Sequence, residues 1–243
     1  MKVTLEELQS GELEVVGQLM DASNGSLLCR LIVAPDGQPA DGPAPLVIYK
    51  PRAGERPLWD FPDGTLSQRE VAAHIVAESL GWSIVPPTVW REGPVGPGMV
   101  QAWVDVDEDV DLVALVQSDH AALRRIAVFD ALINNGDRKG GHLLPTADGA
   151  IWGIDHGVSF AVEDKLRTVL WQWRGLRIPE PLLEDLQSWL DKMRPEGEAV
   201  GLISQFLDGD EIDTLLQRGR QLVNDGRHPQ PSPDWPAIPW PPF

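Results

Sequence analysis

The most informative stretch of this sequence is residues 127–160, AVFDALINNGDRKGGHLLPTADGAIWGIDHGVSF. The pattern predicts a buried helix, a polar loop and two short strands joined at Asp148-Gly149. Asp137 lies in the loop, and Asp155 follows the second strand 18 residues later. Two carboxylates placed in this way suit phosphoryl transfer, in which one orients the attacking hydroxyl and the other holds a divalent metal ion. The stretch therefore predicts phosphotransferase chemistry.

The polar loop of residues 134–142 carries the candidate catalytic residues. Asp137 is predicted to accept or orient the acceptor hydroxyl. Arg138 or Lys139 is predicted to offset the charge that develops on the transferred phosphoryl group. A left-handed helix cap at Asn135-Gly136 would account for the glycine, but it leaves the polar residues after it unexplained. Because burying polar groups is costly, their density here favours a binding or catalytic site.

A metal site is predicted between the loop and the second strand. Asp155 follows the apolar strand 151–154 and precedes Gly157, which is expected to let the backbone turn sharply. The Asp155 carboxylate is the predicted ligand for Mg²⁺ or Mn²⁺. His142, five residues beyond Asp137, is predicted to give a neutral ring nitrogen to the same metal or to a phosphate. An ordinary strand-ending Asp-x-Gly turn is the simpler alternative for Asp155.

Lys50 ends a short apolar strand, LVIYK at residues 46–50. A lysine in this position is predicted to reach into a cleft and hold the α- and β-phosphates of ATP. An edge lysine that extends to solvent is the alternative. Glu70, one helix later, is the predicted ion-pair partner of Lys50, with Glu78 as the second choice. The run Ser67-Gln-Arg-Glu70 also fits a capping box, in which Glu70 would satisfy the helix N-terminus instead.

Other predicted contacts to the nucleotide lie on neighbouring strands. A hairpin turn at Asn24-Gly25 is predicted to lay the backbone of Gly25 and Ser26 over the phosphates, although such a turn is often only a turn. The adenine is expected near the end of the strand predicted over 98–104, against an apolar wall. The residues expected at this adenine site are Gln101, Trp103, Val104, Ile48 and Val100.

The composition excludes some classes of partner. The chain has 243 residues, a formal net charge of −17 and one cysteine, Cys29, in an apolar run. A protein this acidic repels phosphate backbones and anionic lipid surfaces, so nucleic acid and bilayer-embedded substrates are not expected. The sequence predicts neither a membrane span nor a signal peptide. Cys29 is expected in the core, and the protein is expected in the cytoplasm.

The periodicity of the apolar residues predicts an α+β fold, and a chain of this length can build one sizeable core or two lobes with a cleft between them. The N-terminal lobe, residues 1–103, is expected to hold an antiparallel sheet of about five strands with one helix after the third strand. The C-terminal lobe, residues 104–226, is expected to be mainly helical, with a helical section over 199–223. The Pro- and Trp-rich residues 227–243 are expected to form an extended strap, with a disordered tail as the alternative.

Two blocks of the chain resemble a known family. The run Asn134-Asn-x-Asp137-Arg138 followed by Asp155-x-Gly157 is similar to the catalytic and metal motifs of the phosphatidylinositol 3-/4-kinase-related superfamily, which includes HipA-type toxin kinases and secretory-pathway kinases. Residues 49–90 resemble an actinobacterial branch of it. The resemblance covers most of residues 12–160. It implies a protein-kinase-like fold with ATP in the cleft between the lobes.

Two histidines depart from the pattern of that superfamily. His142 stands where asparagine is common, and His156 is the middle residue of the triplet that resembles Asp-Phe-Gly. Imidazole is softer than an amide oxygen, so Mn²⁺ is expected to serve as well as Mg²⁺.

These features together predict ATP-dependent phosphotransfer to a hydroxyl group of a protein or a small molecule. One alternative is a pseudokinase-type regulatory module that binds the nucleotide without chemistry. A second is an AMP transferase that uses the same site. A third is a plain binding domain that takes no nucleotide.

Overall fold

The computed structural model describes residues 3–19, 25–33, 43–194 and 196–243. Within these ranges the chain forms a five-stranded sheet, a two-stranded hairpin and a set of helices. The strands are β1 Glu12–Gln18, β2 Leu27–Ile32, β3 Leu46–Pro51, β4 Thr88–Gly93, β5 Gly96–Ala102, β6 Leu143–Pro145 and β7 Ile151–Gly153. The helices are α1 Leu5–Ser10, α2 Leu66–Ser79, α3 Leu112–Gln117, α4 Ala121–Ile133, α5 Glu180–Lys192, α6 Glu198–Ile203 and α7 Gly209–Asp225. Asn24, in the predicted hairpin turn, lies outside the described ranges.

The five-stranded sheet has the order β1-β2-β3-β5-β4, and every neighbouring pair is antiparallel. Side chains alternate between its two faces. Val47 and Tyr49 of β3 pack with Cys29 and with α1 in an apolar cluster on one face. Ile48 and Lys50 therefore lie on the other face, which meets α2. The sheet, with α2 after the third strand, confirms the predicted α+β architecture, and α1 before β1 is a second helix that was not predicted.

The helix α2 joins the sheet to the C-terminal half of the chain. The backbone N–H groups of Leu66 and Ser67 donate to the Glu55 carboxylate at 3.0 and 2.9 Å, so a side chain from the preceding segment caps the helix. A negative charge at this end also complements the helix dipole. The apolar side of α2 packs in a core shared with α4, α5 and α7. Buried Arg69 of α2 also forms an ion pair with Glu211 of α7.

The C-terminal half is mainly helical, as predicted. The second half of α4, from Ile126 to Ile133, is buried, and the helix leads directly into the loop of residues 134–142. The helical section predicted over 199–223 is divided into α6 and α7. Asp208 causes the division, because its side chain accepts a hydrogen bond from the Glu211 N–H and begins α7 as an N-cap. No helix in the described ranges combines the length and the apolar character that crossing a bilayer requires.

Residues 227–243, here called the strap, form no helix and no strand beyond an isolated bridge between Arg177 and Arg227. The strap lies along the segment after β7. Ala237 O accepts hydrogen bonds from the Thr168 N–H at 3.0 Å and from the Trp171 indole N–H at 2.7 Å. Prolines prevent regular structure here, and main-chain contacts of this kind hold the strap on the body instead.

Replacing Glu55 with alanine tests the cap on α2. The variant loses both hydrogen bonds to the helix N-terminus, so we expect the free energy of unfolding to fall by about 1 kcal/mol, measured by urea titration. Glu78→Ala, at the exposed end of the same helix, is the matched control and should change stability by less than about 0.5 kcal/mol. Equal losses in the two variants would contradict the capping role.

Candidate active site

The Lys50 side chain lies at the centre of a charged cluster on the α2 face of the sheet. Its Nζ donates to Glu70 Oε1 at 2.7 Å and to Asp155 Oδ1 at 3.1 Å. Lys50 belongs to β3, Glu70 to α2, and Asp155 follows β7. Only 15% of the lysine side chain is exposed. Three separate elements therefore bring these three residues together.

Glu70 pairs with Lys50 and does not cap α2, because the Glu55 carboxylate already occupies the helix N-terminus. Glu78, the second choice, is exposed. Burial raises the pKa of Glu70 to about 7, although the charge of Lys50 opposes the shift. Burial by itself would lower the pKa of Lys50, but the carboxylates of Asp155 and Glu70 outweigh it and raise that pKa. The ammonium is thus held in its charged form.

Asp155 presents one carboxylate oxygen to each of two neighbours, Oδ1 to Lys50 and Oδ2 to His142 Nε2 at 3.2 Å. The ammonium of Lys50 holds the pKa of Asp155 well below its usual range. The backbone of Asp155 is left-handed, with φ of 60°, so the sharp turn predicted for Gly157 occurs at Asp155 instead. Gly157 serves close packing against α2, because a Cβ on it would lie 3.3 Å from Leu66 O.

His142 ends a short 3₁₀ turn, Gly140–His142, that leads into β6. Burial lowers the pKa of its imidazole to about 4, while the charge of Asp155 opposes the shift. The ring is therefore neutral near pH 7. A neutral imidazole is the form that can donate a nitrogen lone pair to a metal ion.

Asp155 and His142 fit a metal ion that arrives with a nucleotide. Within the described part of the chain, no three His, Cys, Asp or Glu side chains converge to hold a metal by themselves. Mg²⁺ commonly takes only one or two protein carboxylates, and phosphates and water complete its octahedral shell. The carboxylate suits either Mg²⁺ or Mn²⁺, and the imidazole suits a transition-metal ion such as Mn²⁺ better than Mg²⁺.

Asp137 lies in the loop between α4 and β6. Its N–H donates to Asn135 Oδ1 at 3.0 Å, and its Oδ2 is 3.1 Å from Lys139 Nζ. Burial raises the pKa of Asp137, Lys139 opposes the shift and Asp155 adds to it. The two acidic residues of the sequence motif are therefore close enough to interact electrostatically.

The Arg138 side chain lies in the protein interior. It is fully buried, and its guanidinium donates to both oxygens of Asp130, at 3.0 and 2.9 Å, and to Ile154 O at 2.7 Å. All of these acceptors belong to the protein, so the guanidinium has no path to a transferred phosphoryl group. The prediction for Arg138 is corrected: it ties the loop to α4 and to the end of β7. Lys139 remains the candidate for the predicted role.

Two residues without a predicted role shape the same loop. Asp130 accepts from Arg138 and also from Asn135 Nδ2 at 2.9 Å, which fixes the loop on the end of α4. The Asn134 side-chain oxygen accepts from the Lys165 N–H at 2.9 Å and so ties the loop to the segment after β7. The available signal for Asp130 was a single carboxylate inside an otherwise apolar helix pattern, which must be paired if it is buried.

The predicted adenine residues divide between the two faces of the sheet. Ile48 and Gln101 are register partners on β3 and β5, so both lie on the face toward α2. Gln101 Nε2 donates to Thr88 Oγ1 at 2.8 Å on that face. Val100 is the register partner of Tyr49 and is buried in the cluster on the opposite face. Val100 is therefore not a wall of the cleft, contrary to the prediction.

Trp103 and Val104 follow β5, which ends at Ala102 and not at residue 104 as predicted. The Trp103 N–H still donates to Leu46 O at 3.2 Å, next to the start of β3. The Trp103 ring is 40% exposed. Both residues thus lie where the chain leaves the sheet for α3.

Gly25 and Ser26 lie beside the turn that follows β3. The Gly25 N–H donates to Gly54 O at 3.1 Å. Ser26 comes just before Leu27, the register partner of Tyr49, and is therefore level with the end of β3. Ser26 is buried, and its Oγ has no hydrogen-bond partner among the described residues. A buried hydroxyl in this position fits a site for a polar ligand near Lys50.

Comparison with known proteins identifies the type of fold. No family model matches the chain. The chain is 40% identical to Protein Rv2133c of Mycobacterium tuberculosis over an alignment of 271 positions, which covers 97% of this chain and 94% of the relative. A structure of hydra Fam20 with sugar has a TM-score of 0.59 at 15% identity, over 91% of this chain and 86% of that one. The Golgi casein kinase has a TM-score of 0.56 at 13% identity, over 91% and 72%. The chain has a two-lobed, kinase-like fold.

Replacing His142 with asparagine tests the cost of keeping a neutral histidine buried. The imidazole pKa is about 4 in the folded chain and about 6.5 in the unfolded chain, so the unfolded chain binds the proton first as the pH falls. Stability from this group is present above pH 6.5 and is lost as the pH falls toward 4. Between pH 7 and pH 5 we expect the parent to lose about 2 kcal/mol more than the variant in guanidinium titrations. Parallel losses would contradict the assignment.

Proposed function

The chain belongs to the same family as Protein Rv2133c of Mycobacterium tuberculosis, and we propose that it is an ATP-dependent phosphotransferase acting on a hydroxyl group. The two-lobed, kinase-like fold supports this reaction class. The observation that carries the proposal is the contact of Lys50 with both Glu70 and Asp155. A fixed ammonium beside a fixed carboxylate can bind nucleotide phosphates and their metal ion side by side.

In the proposed complex, Lys50 binds the α- and β-phosphates of ATP. Glu70 holds the ammonium in place, because the four-carbon side chain of a lysine would otherwise sample many positions. Gly25 and Ser26 supply polar groups level with the end of β3. The residues proposed to surround the adenine are Ile48, Gln101, Trp103 and Val104.

Asp155 Oδ2 and His142 Nε2 are the proposed ligands of Mg²⁺ or Mn²⁺. The low pKa of Asp155 keeps its carboxylate ionised near pH 7, and the His142 ring is neutral. Because Nε2 faces the Asp155 carboxylate and Nδ1 faces the Lys139 N–H, Nε2 carries the ring proton in the free chain, and a metal ion on Nε2 requires the other tautomer. When bound, the metal ion neutralises negative charge on the phosphates. Lys50, on the other oxygen of Asp155, holds the carboxylate in a single orientation.

Asp137 is proposed to orient the acceptor hydroxyl and to accept its proton. The raised pKa of this carboxyl makes it a better base than an exposed aspartate would be. Lys139, 3.1 Å from Asp137, is proposed to offset charge on the transferred group. The acceptor is proposed to be a protein or a small molecule, since the net charge of −17 disfavours a polyanion such as nucleic acid.

We also propose a relationship to the phosphatidylinositol 3-/4-kinase-related superfamily within this fold. Its support is the pair of motifs, Asn134-Asn-x-Asp137-Arg138 and Asp155-x-Gly157. The buried pair of Arg138 and Asp130 supplies a physical reason for the arginine of the first motif, since it shapes the loop that carries Asp137.

Nucleotide binding and phosphate transfer are tested on the same preparation. Thermal denaturation with ATP and Mn²⁺ or Mg²⁺ measures binding, and γ-³²P-ATP measures transfer to the chain itself, to water or to candidate acceptors. We expect both signals. Stabilisation without transfer would indicate a nucleotide-binding regulatory module, and protein labelled from α-³²P-ATP would indicate an AMP transferase. A complete lack of stabilisation would contradict nucleotide binding itself.

Replacing Lys50 with methionine tests the phosphate contact. The variant keeps much of the side-chain volume but loses a charged hydrogen-bond donor, so we expect the affinity for ATP with Mn²⁺ to fall by roughly tenfold or more in isothermal titration calorimetry. Lys192→Met, on the exposed surface of α5, is the matched control and should bind like the parent. Equal affinity of Lys50→Met and the parent would remove Lys50 from the nucleotide site.

Replacing Asp137 with alanine separates chemistry from binding. Loss of the proposed base should reduce phosphate transfer by roughly 100-fold or more, while ATP binding stays close to that of the parent. Asp213→Ala, exposed on α7, is the control for removing a carboxylate from the C-terminal half. If binding and transfer fall together, Asp137 has another role.

A further inference from the structure

We propose that the strap positions the loop of residues 134–142, here called the catalytic loop. Pro242 and Phe243 hold the turn Gly140–His142 so that the His142 imidazole faces Asp155. The proposal rests on the function proposed above, in which His142 is a metal ligand. It gives residues 227–243 a role in the site, in addition to their packing on the body of the protein.

The strap touches the turn at its first residue. The Gly140 N–H donates to Pro242 O at 2.8 Å. The Phe243 ring lies against the Cα of Gly140, and a Cβ on that glycine would overlap the ring. The glycine is thus needed for contact between the strap and the loop, not for an unusual backbone angle.

The same short turn carries the metal ligand. His142 is two residues beyond Gly140, and its N–H donates to Lys139 O at 3.2 Å to close the turn. On the far side, His142 O accepts from the Ile154 N–H at 3.0 Å, next to Asp155. The turn is therefore held at one end by the residues that precede Asp155 and at the other end by the strap.

A turn that begins with two glycines needs such support. Glycine has more backbone freedom than any other residue, and isolated 3₁₀ turns have weak hydrogen-bond geometry. Residues 140–141 are both glycine, and the local contact that orients the His142 ring is one long hydrogen bond, from the Lys139 N–H to Nδ1 at 3.5 Å. The hydrogen bond and ring contact from the strap restrict this freedom from outside.

The strap is itself fixed a few residues earlier. Ala237 O accepts two hydrogen bonds, from Thr168 and Trp171, and the Trp235 ring lies 5.6 Å from Lys165 Nζ. Between this anchor and Phe243, the side chain of Ile238 is 51% exposed. The strap is therefore anchored at Ala237, and its contacts with Gly140 come from Pro242 and Phe243.

The test replaces Phe243 with alanine and titrates Mn²⁺ into the full chain in the presence of ATP, with thermal stabilisation as the readout. Loss of a group that orients a metal ligand typically weakens metal binding by about 10- to 100-fold, and we expect an effect at the lower end of this range. ATP affinity without metal should stay unchanged. Hydrogen exchange at the Gly140 amide should become faster, because its acceptor is no longer held in place.

Two further variants make the result specific. Ile238→Ala removes an exposed apolar side chain from the same strap and should behave like the parent in every measurement. Gly140→Ala displaces the Phe243 ring and should weaken Mn²⁺ binding as Phe243→Ala does, with no further loss in the double variant. Such non-additivity would show that both substitutions act through one contact.

Two outcomes overturn the proposal in distinguishable ways. If the parent binds Mn²⁺ with ATP and Phe243→Ala binds equally tightly, the strap has no positioning role and the proposed function stands. If the parent shows no metal-dependent stabilisation by ATP, the proposed function fails and the positioning role fails with it. Melting temperatures without ligand check that the variants remain folded.

Discussion

The buried ammonium of Lys50 is the constraint on which the rest of the site depends. A charge that has lost most of its water must be paired, and removing one partner of such a pair is strongly destabilising. Its two partners come from α2 and from the residue after β7, so the contact ties the sheet, the helix and the end of the hairpin to one another. The contact that holds these elements around Lys50 therefore also fixes the position of the positive charge proposed to bind the phosphates of a nucleotide.

A second cation–carboxylate pair, Arg138 with Asp130, shapes the loop of residues 134–142 and is not proposed to bind a ligand. Arg138 and Asp130 are both fully buried, and the planar guanidinium satisfies the carboxylate through two donors while a third reaches a main-chain carbonyl. Arginine suits this role because its donors form a rigid fork, whereas a lysine supplies a mobile point charge. On the inner side of the catalytic loop, Arg138 holds the loop in its shape. On the outer side lie Asp137 and Lys139, the residues proposed for the chemistry. Chemistry and architecture are divided between neighbouring residues.

Much of this arrangement could be predicted from the sequence, and the errors have a common cause. The sequence predicts that Lys50 pairs with Glu70 and that Asp155 holds a metal ion in the same site; the direct contact of Asp155 with Lys50 is seen only in the folded chain. The prediction for Arg138 is wrong because spacing along a loop does not show whether a side chain points inward or outward. The prediction for Val100 is wrong because neighbouring residues of a strand face opposite sides, so Val100 and Gln101 cannot both line one site. The register of Gln101 with Ile48 places Gln101 on the face toward α2 and Val100 on the other.

Burial also sets the charge balance of the site. Desolvation disfavours every charge in the cleft, so it raises the pKa of Glu70 and lowers that of His142. Lys50 and Asp155 escape this trend because each stabilises the other's charge. Around Lys50 the site therefore holds the ammonium and the Asp155 carboxylate in their charged forms, beside the neutral imidazole of His142. An anionic nucleotide paired with a divalent cation can meet both charges at once, whereas either partner alone meets one attraction and one repulsion.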